Sequence, residues 1–378
     1  MTIIVIFFVD IESREWQDGE MGRTAKLFPR ATQPRITSLK LLPCLAKFDS
    51  HNMKNLIIFF RSGNPSAPRP PIPSSRETMS HLSSFNAAVP LTPVTLAGAT
   101  FADLTFENAD QPHRIFLYRP DKSPPPEGWP VLYLTDGNAC FATAVDALKV
   151  QASYPNGTNI CEGVIVAIGY PSDEPYDPLR RSWDLSPPPG RTYPPFFPGA
   201  PDVKTGGGER FLKLIEDELK PWVERQVPVD RSRQALFGHS FGGLFALYAL
   251  FSKPGAFSRW IAASPAIFWE DAAILAAERE FQDHLETPID VELYLSAGEY
   301  EGETLAPFHK GMPDEHKRQE RARETRTIEL ARDMAQRWTA SASFIGTATF
   351  EEHAGENHMS VLPVALNRAV QAAFRRTK

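Results

Sequence analysis

The stretch that decides the fold is Gln234-Ala-Leu-Phe-Gly-His-Ser-Phe-Gly-Gly-Leu-Phe-Ala-Leu-Tyr-Ala-Leu-Phe251. A short apolar run comes first, then Gly238-His239-Ser240-Phe241-Gly242, then eleven residues from Phe241 that are apolar on every side. The pattern is G-x-S-x-G. It places a serine on a sharp turn between a strand and a helix, with its hydroxyl thrust out over the sheet edge. Side chains two residues either way would collide there, and glycine avoids the collision. The helix that follows aims its N-terminal amides at the same point and favours developing negative charge. A helix apolar all round is expected to be buried.

Outward from this stretch, β-branched and aromatic runs alternate with helical patterns. Strands are expected at Thr100 to Phe106, His113 to Tyr118, Pro130 to Leu134, Gly163 to Ile168, Gln234 to Phe237, Val291 to Ser296 and Ser343 to Phe350. Several are unbroken apolar runs, as befits strands covered on both faces. Stripes of helical spacing run through Phe211, Leu212, Ile215, Leu219 and Trp222, and through Ile328, Ala331, Ala335 and Trp338. A last helix is expected after Ser360, with Pro363 in its first turn. Strands alternating with helices imply an α/β fold with a mostly parallel central sheet and helices on both faces.

The chain has 378 residues and a formal net charge of −6, which does not suit a protein that binds nucleic acid by neutralising phosphates. Its apolar runs, Ile3 to Val9 and Leu56 to Phe60, are far shorter than the roughly 18–20 residues of a membrane span. The first lacks the flanks of a signal peptide. Three cysteines, Cys44, Cys140 and Cys161, make neither a disulfide framework nor a zinc set, so a reducing, cytoplasmic setting fits. Residues 1–78 carry 11 basic and 7 acidic residues, against 29 and 39 in residues 79–378. That first segment has no sustained period and ends in the Pro- and Ser-rich run Pro65 to Ser75. It reads as a disordered extension with a linker, or as a start codon placed too early. The ten prolines from Pro171 to Pro201 are expected to form loop.

A nucleophilic serine needs a base, and in this chain order an acid and then a histidine should follow it. After the last expected strand comes Glu351-Glu-His-Ala-Gly-Glu-Asn-His-Met-Ser-Val-Leu-Pro363. His358, beside the helix start, is the expected base, with His353 as the alternative. The two are spaced by five residues, which is not a helical zinc motif, and no cofactor or metal is expected. The acid should follow the preceding strand, in Leu293-Tyr-Leu-Ser-Ala-Gly-Glu-Tyr-Glu-Gly-Glu303. Glu299, Glu301 and Glu303 compete, with Glu301 preferred and Glu299 next. The oxyanion amides should come from Phe241, after the serine, and from Gly137 or Asn138, after an earlier strand. The charged run Asp314 to Arg326 reads as a solvated helix face.

Five segments carry a resemblance: Leu132-Tyr-Leu-Thr-Asp-Gly-Asn138, Arg181-Ser-Trp-Asp-Leu-Ser-Pro187, Gly238-His-Ser-Phe-Gly-Gly-Leu-Phe-Ala-Leu-Tyr248, Ala263-Ser-Pro-Ala-Ile-Phe-Trp269 and Glu356-Asn-His-Met-Ser-Val-Leu-Pro363. In this order they resemble the esterase-D-like branch of the α/β-hydrolases, and within it the siderophore trilactone esterases. The likeness spans roughly residues 95–376. It implies a serine esterase working through an acyl-enzyme, with Ser240 as nucleophile, His358 as base, and Gly137 and Phe241 as oxyanion amides. Some siderophore esterases use a Ser–His pair with no well-placed acid, so the resemblance leaves Glu301 open. Phe268 stands where the family often has a tryptophan.

The implied substrate is a small-molecule ester or lactone, anionic and aromatic if it is a ferric catecholate. Arg180 and Arg181, beside Trp183, would suit it by charge and stacking. An ion pair from Arg181 to Asp184 is the competing expectation, and Trp269 would floor the acyl pocket or join the core. A general carboxylesterase, an S-formylglutathione hydrolase and a non-catalytic ligand-binding relative are the alternative readings.

Overall fold

The computed structural model describes residues 91–341 and 344–376. The expectations for residues 1–78, including Cys44 and both short apolar runs, lie outside the described residues.

The described strands are β1 (Ala99–Leu104), β2 (His113–Tyr118), β3 (Trp129–Leu134), β4 (Val164–Gly169), β5 (Thr192–Tyr193), β6 (Val203–Lys204), β7 (Val229–His239), β8 (Arg259–Ala263), β9 (Glu292–Gly298) and β10 (Thr347–His353). Eight of them form one sheet in the order β1-β2-β4-β3-β7-β8-β9-β10, and β5 and β6 make a small hairpin. The first two joints, β1 with β2 and β2 with β4, are antiparallel; every later one is parallel. The helices that matter here are α1 (Gly137–Ala152), α2 (Pro178–Asp184), α3 (Gly208–Lys213), α4 (Lys220–Gln226), α5 (Phe241–Ser252), α6 (Ile274–Asp283), α7 (Glu315–Thr325), α8 (Thr327–Ala340) and α9 (Val361–Phe374).

The central strands are apolar throughout because each serves two cores. On β3, Val131 and Tyr133 enter one apolar cluster while Leu132 and Leu134 enter the other. The same alternation holds on β4, where Val164, Val166 and Ile168 oppose Ile165 and Ala167, and on β8, where Trp260 and Ala262 oppose Ile261 and Ala263. Strand side chains alternate between faces, so a strand between two helical layers can spare no position for a polar residue. Helices α1 and α9 cover one face; α5, α6, α8 and the 208–226 segment cover the other. Helix α5 is buried along nearly its whole length, as its all-apolar sequence required.

Three elements depart from the sequence-based expectation. Strand β8 was not expected: its run is only five residues and opens on Arg259, whose charge is held by Glu292. The helical stripe from Phe211 to Trp222 is not one α-helix but α3, a π-helical stretch over Leu214–Leu219, and α4. Pro221, which brings no backbone N–H, lies at the join. The Pro-rich segment is not all loop. It contains α2, which starts with Pro178 in its first turn and is capped by Asp177, whose side chain accepts from the Arg180 N–H at 3.1 Å. Helix α7 has no buried residue and is the solvated helix that its charge run suggested. Among the described residues no helix is long and apolar enough to cross a membrane.

Candidate active site

The parallel strands β3, β7, β8, β9 and β10 all release their chains at one edge, where open α/β sheets gather their ligands. At three of these strand ends a non-glycine residue has a positive φ: Asp136 after β3 (51°), Ser240 after β7 (59°) and Ser264 after β8 (43°). Such conformations cost about 1–3 kcal/mol each and persist where the surroundings hold them.

At Ser240 the surroundings are the two glycines and the neighbouring strand. A Cβ on Gly238 would sit 2.0 Å from the Gly242 carbonyl oxygen, so the chain closes on itself there as only glycine allows. A Cβ on Gly242 would sit 2.3 Å from Thr135 Oγ1. The Ser240 N–H donates to the Ala263 carbonyl at 3.0 Å, and its own carbonyl accepts from Leu244 and Ala266. The nucleophile candidate is therefore pinned on both sides by backbone.

His358 stands in the turn before α9. Asn357 shapes that turn: its side-chain oxygen accepts the N–H groups of Met359 and Ser360 at 2.9 and 3.0 Å. His358 Nε2 lies 3.1 Å from Ser240 Oγ, and His358 Nδ1 lies 2.6 Å from Glu301 Oε2. A carboxylate can only accept, so Nδ1 carries the hydrogen and Nε2 is left to accept from the serine. Glu301 follows β9 by three residues and is 8% exposed. Its other oxygen accepts from Ser264 Oγ at 2.5 Å and from the Gly298 N–H at 2.7 Å. Burial works against its charge, but the His358 charge and these hydrogen bonds outweigh it, and the carboxyl is held below its ordinary range.

The competing residues go elsewhere. Glu299 Oε2 accepts the Gly355 N–H at 2.7 Å, and Tyr300 N–H donates to the Glu356 carbonyl, so this pair of bonds braces the acid loop to the histidine loop. Glu303 is exposed. His353 ends β10, buried, with Nδ1 3.7 Å from Glu351. Thus the structure brings Ser240, His358 and Glu301 into one line, and not His353, Glu299 or Glu303.

The two candidate oxyanion donors, Phe241 and Gly137, are the first residues of α5 and α1, at the donor-rich ends of both helices. The Asn138 side chain braces the neighbouring loop, exchanging bonds with Tyr170 and donating to the Ser172 carbonyl. Asp136, just before Gly137, is fork-bonded by Arg181, with Nε and Nη2 each 2.8 Å from a carboxylate oxygen. Arg181 is 1% exposed, and its guanidinium lies 5.6 Å from the ring centre of Phe241. Burial opposes its charge, and Asp136 more than restores it. The expected ion pair of Arg181 with Asp184 is corrected: Asp184 instead takes His113 Nε2 at 3.0 Å and the Tyr170 hydroxyl at 3.1 Å. The buried Asp136 needs a cation beside it, and Arg181 of α2 supplies it. Arg180 donates to the carbonyls of Pro112 and Gln111 and lies 4.5 Å over the Tyr170 ring. Trp269 is buried, edge-on to Phe241 at 4.8 Å and packed on Tyr193 of the β5–β6 hairpin at 5.2 Å. That hairpin is tied down by Tyr193 Oη, which donates to Glu270 at 3.0 Å.

With this geometry in view, comparison with known proteins is decisive on family. The model of the "Putative esterase" family matches residues 107–369. The chain belongs to this esterase family. It is 35% identical to the ferri-bacillibactin esterase BesA of Bacillus subtilis over 284 residues, 74% of this chain and 91% of that one. It is 34% identical to the siderophore triacetylfusarinine C esterase of Aspergillus fumigatus over 251 residues, 65% of this chain and 81% of that one. Among solved structures, the siderophore hydrolase EstA from Aspergillus nidulans superposes with a TM-score of 0.65 at 32% identity, covering 76% of this chain and 97% of that one. This esterase therefore has the α/β-hydrolase fold and is a carboxylic ester hydrolase.

Three residues of the site were missed or misjudged from sequence. Ser264 was within reach of reasoning: once β8 is known to be a strand, the residue just after it falls at the site edge like Ser240. Asp136 carried no local signal, because its partner lies 45 positions away. His239 occupies a position that the G-x-S-x-G motif leaves open, so the motif carries no signal for it.

Proposed function

We propose that this esterase opens the ester bonds of a siderophore through an acyl-serine on Ser240. The observation that carries the reading is the unbroken line from Ser240 Oγ through His358 to Glu301, at 3.1 and 2.6 Å. His358 Nε2 takes the serine proton as Oγ attacks the ester carbonyl, and Glu301 accepts the Nδ1–H of the resulting imidazolium. The tetrahedral oxyanion meets the N–H groups of Phe241 and Gly137, while the Arg181–Asp136 pair steadies the residue before Gly137. His358 returns the proton to the departing alkoxide, which leaves as an alcohol. Water then attacks the acyl-serine, losing its proton to His358, and the acid departs with Ser240 restored.

The substrate class is supported by the names of the relatives, two of them esterases of named siderophores or their ferric complexes. A cytoplasmic setting, with Cys140 and Cys161 as free thiols, belongs to the same reading, and so does a catalytic unit within residues 79–378. The test is parallel incubation with a ferric trilactone siderophore and with a short p-nitrophenyl ester, the linear acids being separated by chromatography. Release of linear product from the trilactone supports the reading. Cleavage of the simple ester alone would discard the siderophore and keep the hydrolase.

A further inference from the structure

His239 sits between Gly238 and Ser240, and the reaction sequence above leaves it idle. It closes β7, is 4% exposed, and its ring centre lies 4.7 Å from that of His358 at an interplanar angle of 40°. Its Nε2 is buried with no hydrogen-bond partner. The ring is hydrogen-bonded to the backbone of His358 in the sense that favours a proton on the ring, as donation to a carbonyl does. With Nε2 bare, the donor is Nδ1.

The two bonds of His358 explain why such a neighbour is needed. Ser240 and Glu301 hold the imidazole at its two nitrogens, at 3.1 and 2.6 Å. Together they leave the ring free to tilt about the line that joins them. A ring packed against it at 4.7 Å restricts that freedom, and a bond to its backbone restricts the motion of the turn that carries it. We infer that His239 is the positioning residue of the base, fixing the tilt of the His358 ring by packing and its backbone through Nδ1–H, and that it does so as a neutral imidazole. This rests on the reading of His358 as base.

Neutrality matters because His358 becomes a cation in each half-reaction. The charged groups facing the pair are Glu301 and, from α2, Arg181. Burial first, and the charge of His358 next, hold His239 down to about 3. The imidazolium therefore meets an uncharged ring at His239, an attractive arrangement, where a protonated His239 would repel it.

The test uses the full chain with a short p-nitrophenyl ester as probe, and three variants. His239→Leu removes both ring and donor. It is expected to lose about 10- to 100-fold in kcat, with KM within about twofold of the parent, as small misplacements of a catalytic group do. His239→Phe restores a ring and should recover most of the lost kcat, while His239→Gln, with a donor but no ring, should fall between. A leucine variant that melts like the parent and keeps kcat within about twofold would overturn the proposal, as would a loss carried by KM. If His239→Leu fails to fold, the Phe and Gln variants decide: Gln equal to or better than Phe overturns it. Failure of the base assignment would look different, as ester cleavage surviving in His358→Ala.

Discussion

Glu301 Oε2 lies 2.6 Å from His358 Nδ1, and the other oxygen of the same carboxylate is held by Ser264 and by the Gly298 amide. The acid thus makes three bonds while nearly out of water, and one of them ends on the residue that contacts Ser240. In the proposed mechanism Glu301 therefore takes the place of the acid that the family resemblance left open. Glu301→Gln removes the negative charge that holds the histidine in its productive tautomer. Its kcat/KM on a simple ester should fall by about 10³-fold or more, with the fold intact by circular dichroism.

Acid should unfold the protein through two of the site's groups in succession. His239 refuses a proton in the native state down to about 3, whereas an unfolded histidine accepts one near 6.5. Its contribution is full above about 6.5 and is lost as pH falls, at up to about 1.4 kcal/mol per pH unit. Glu301, held below its ordinary value of 4.5, adds the same sign of dependence below that pH. Denaturant melts from pH 7 to pH 5 should show a slope smaller by about one proton in His239→Phe than in the parent. Equal slopes would show that His239 is not kept neutral.

The Asp136–Arg181 pair should be costly to halve. Both side chains are 2% exposed, so deleting one charge strands the other in the interior. Arg181→Met is expected to destabilise the protein by about 3–5 kcal/mol in urea melts, and the double variant with Asp136→Asn by clearly less than the sum of the singles. Activity should fall too, because Asp136 keeps its positive φ directly before Gly137.

Gly238→Ala tests the steric reading of the elbow. Its Cβ would press on the Gly242 carbonyl at 2.0 Å, backbone against backbone, with no flexible end to yield. The variant should melt well below the parent and label poorly at Ser240 with a fluorophosphonate. A parent-like melting temperature would contradict the tightness of this turn.

What the sequence showed and what it hid follow from the range of the interactions. The elbow was legible because its causes are local: glycines that must pass each other within five residues, then a helix with no polar side. The placement of His358 and Glu301 beside Ser240 was legible because strand order fixes where loops emerge, and each follows the end of a strand. Strand β8 was hidden by its brevity and its opening arginine. Helix α1 was hidden because its start carries no capping signal; Asp136, the residue before it, is left-handed and offers no side-chain cap. The partner of Arg181 was hidden for another reason. The nearest acid in sequence, Asp184, is three residues away, while the one it bonds comes from the end of β3 and becomes a neighbour only when the sheet is assembled.

The most direct test of the whole account is the intact mass of the protein during turnover of a slowly deacylating ester, for the parent and for Ser240→Ala. The account predicts an increment equal to the acyl group on the parent, mapped by peptide fragmentation to Ser240, and neither adduct nor ester cleavage in the variant. Full turnover by Ser240→Ala, or an acyl group mapped to another residue, would contradict it.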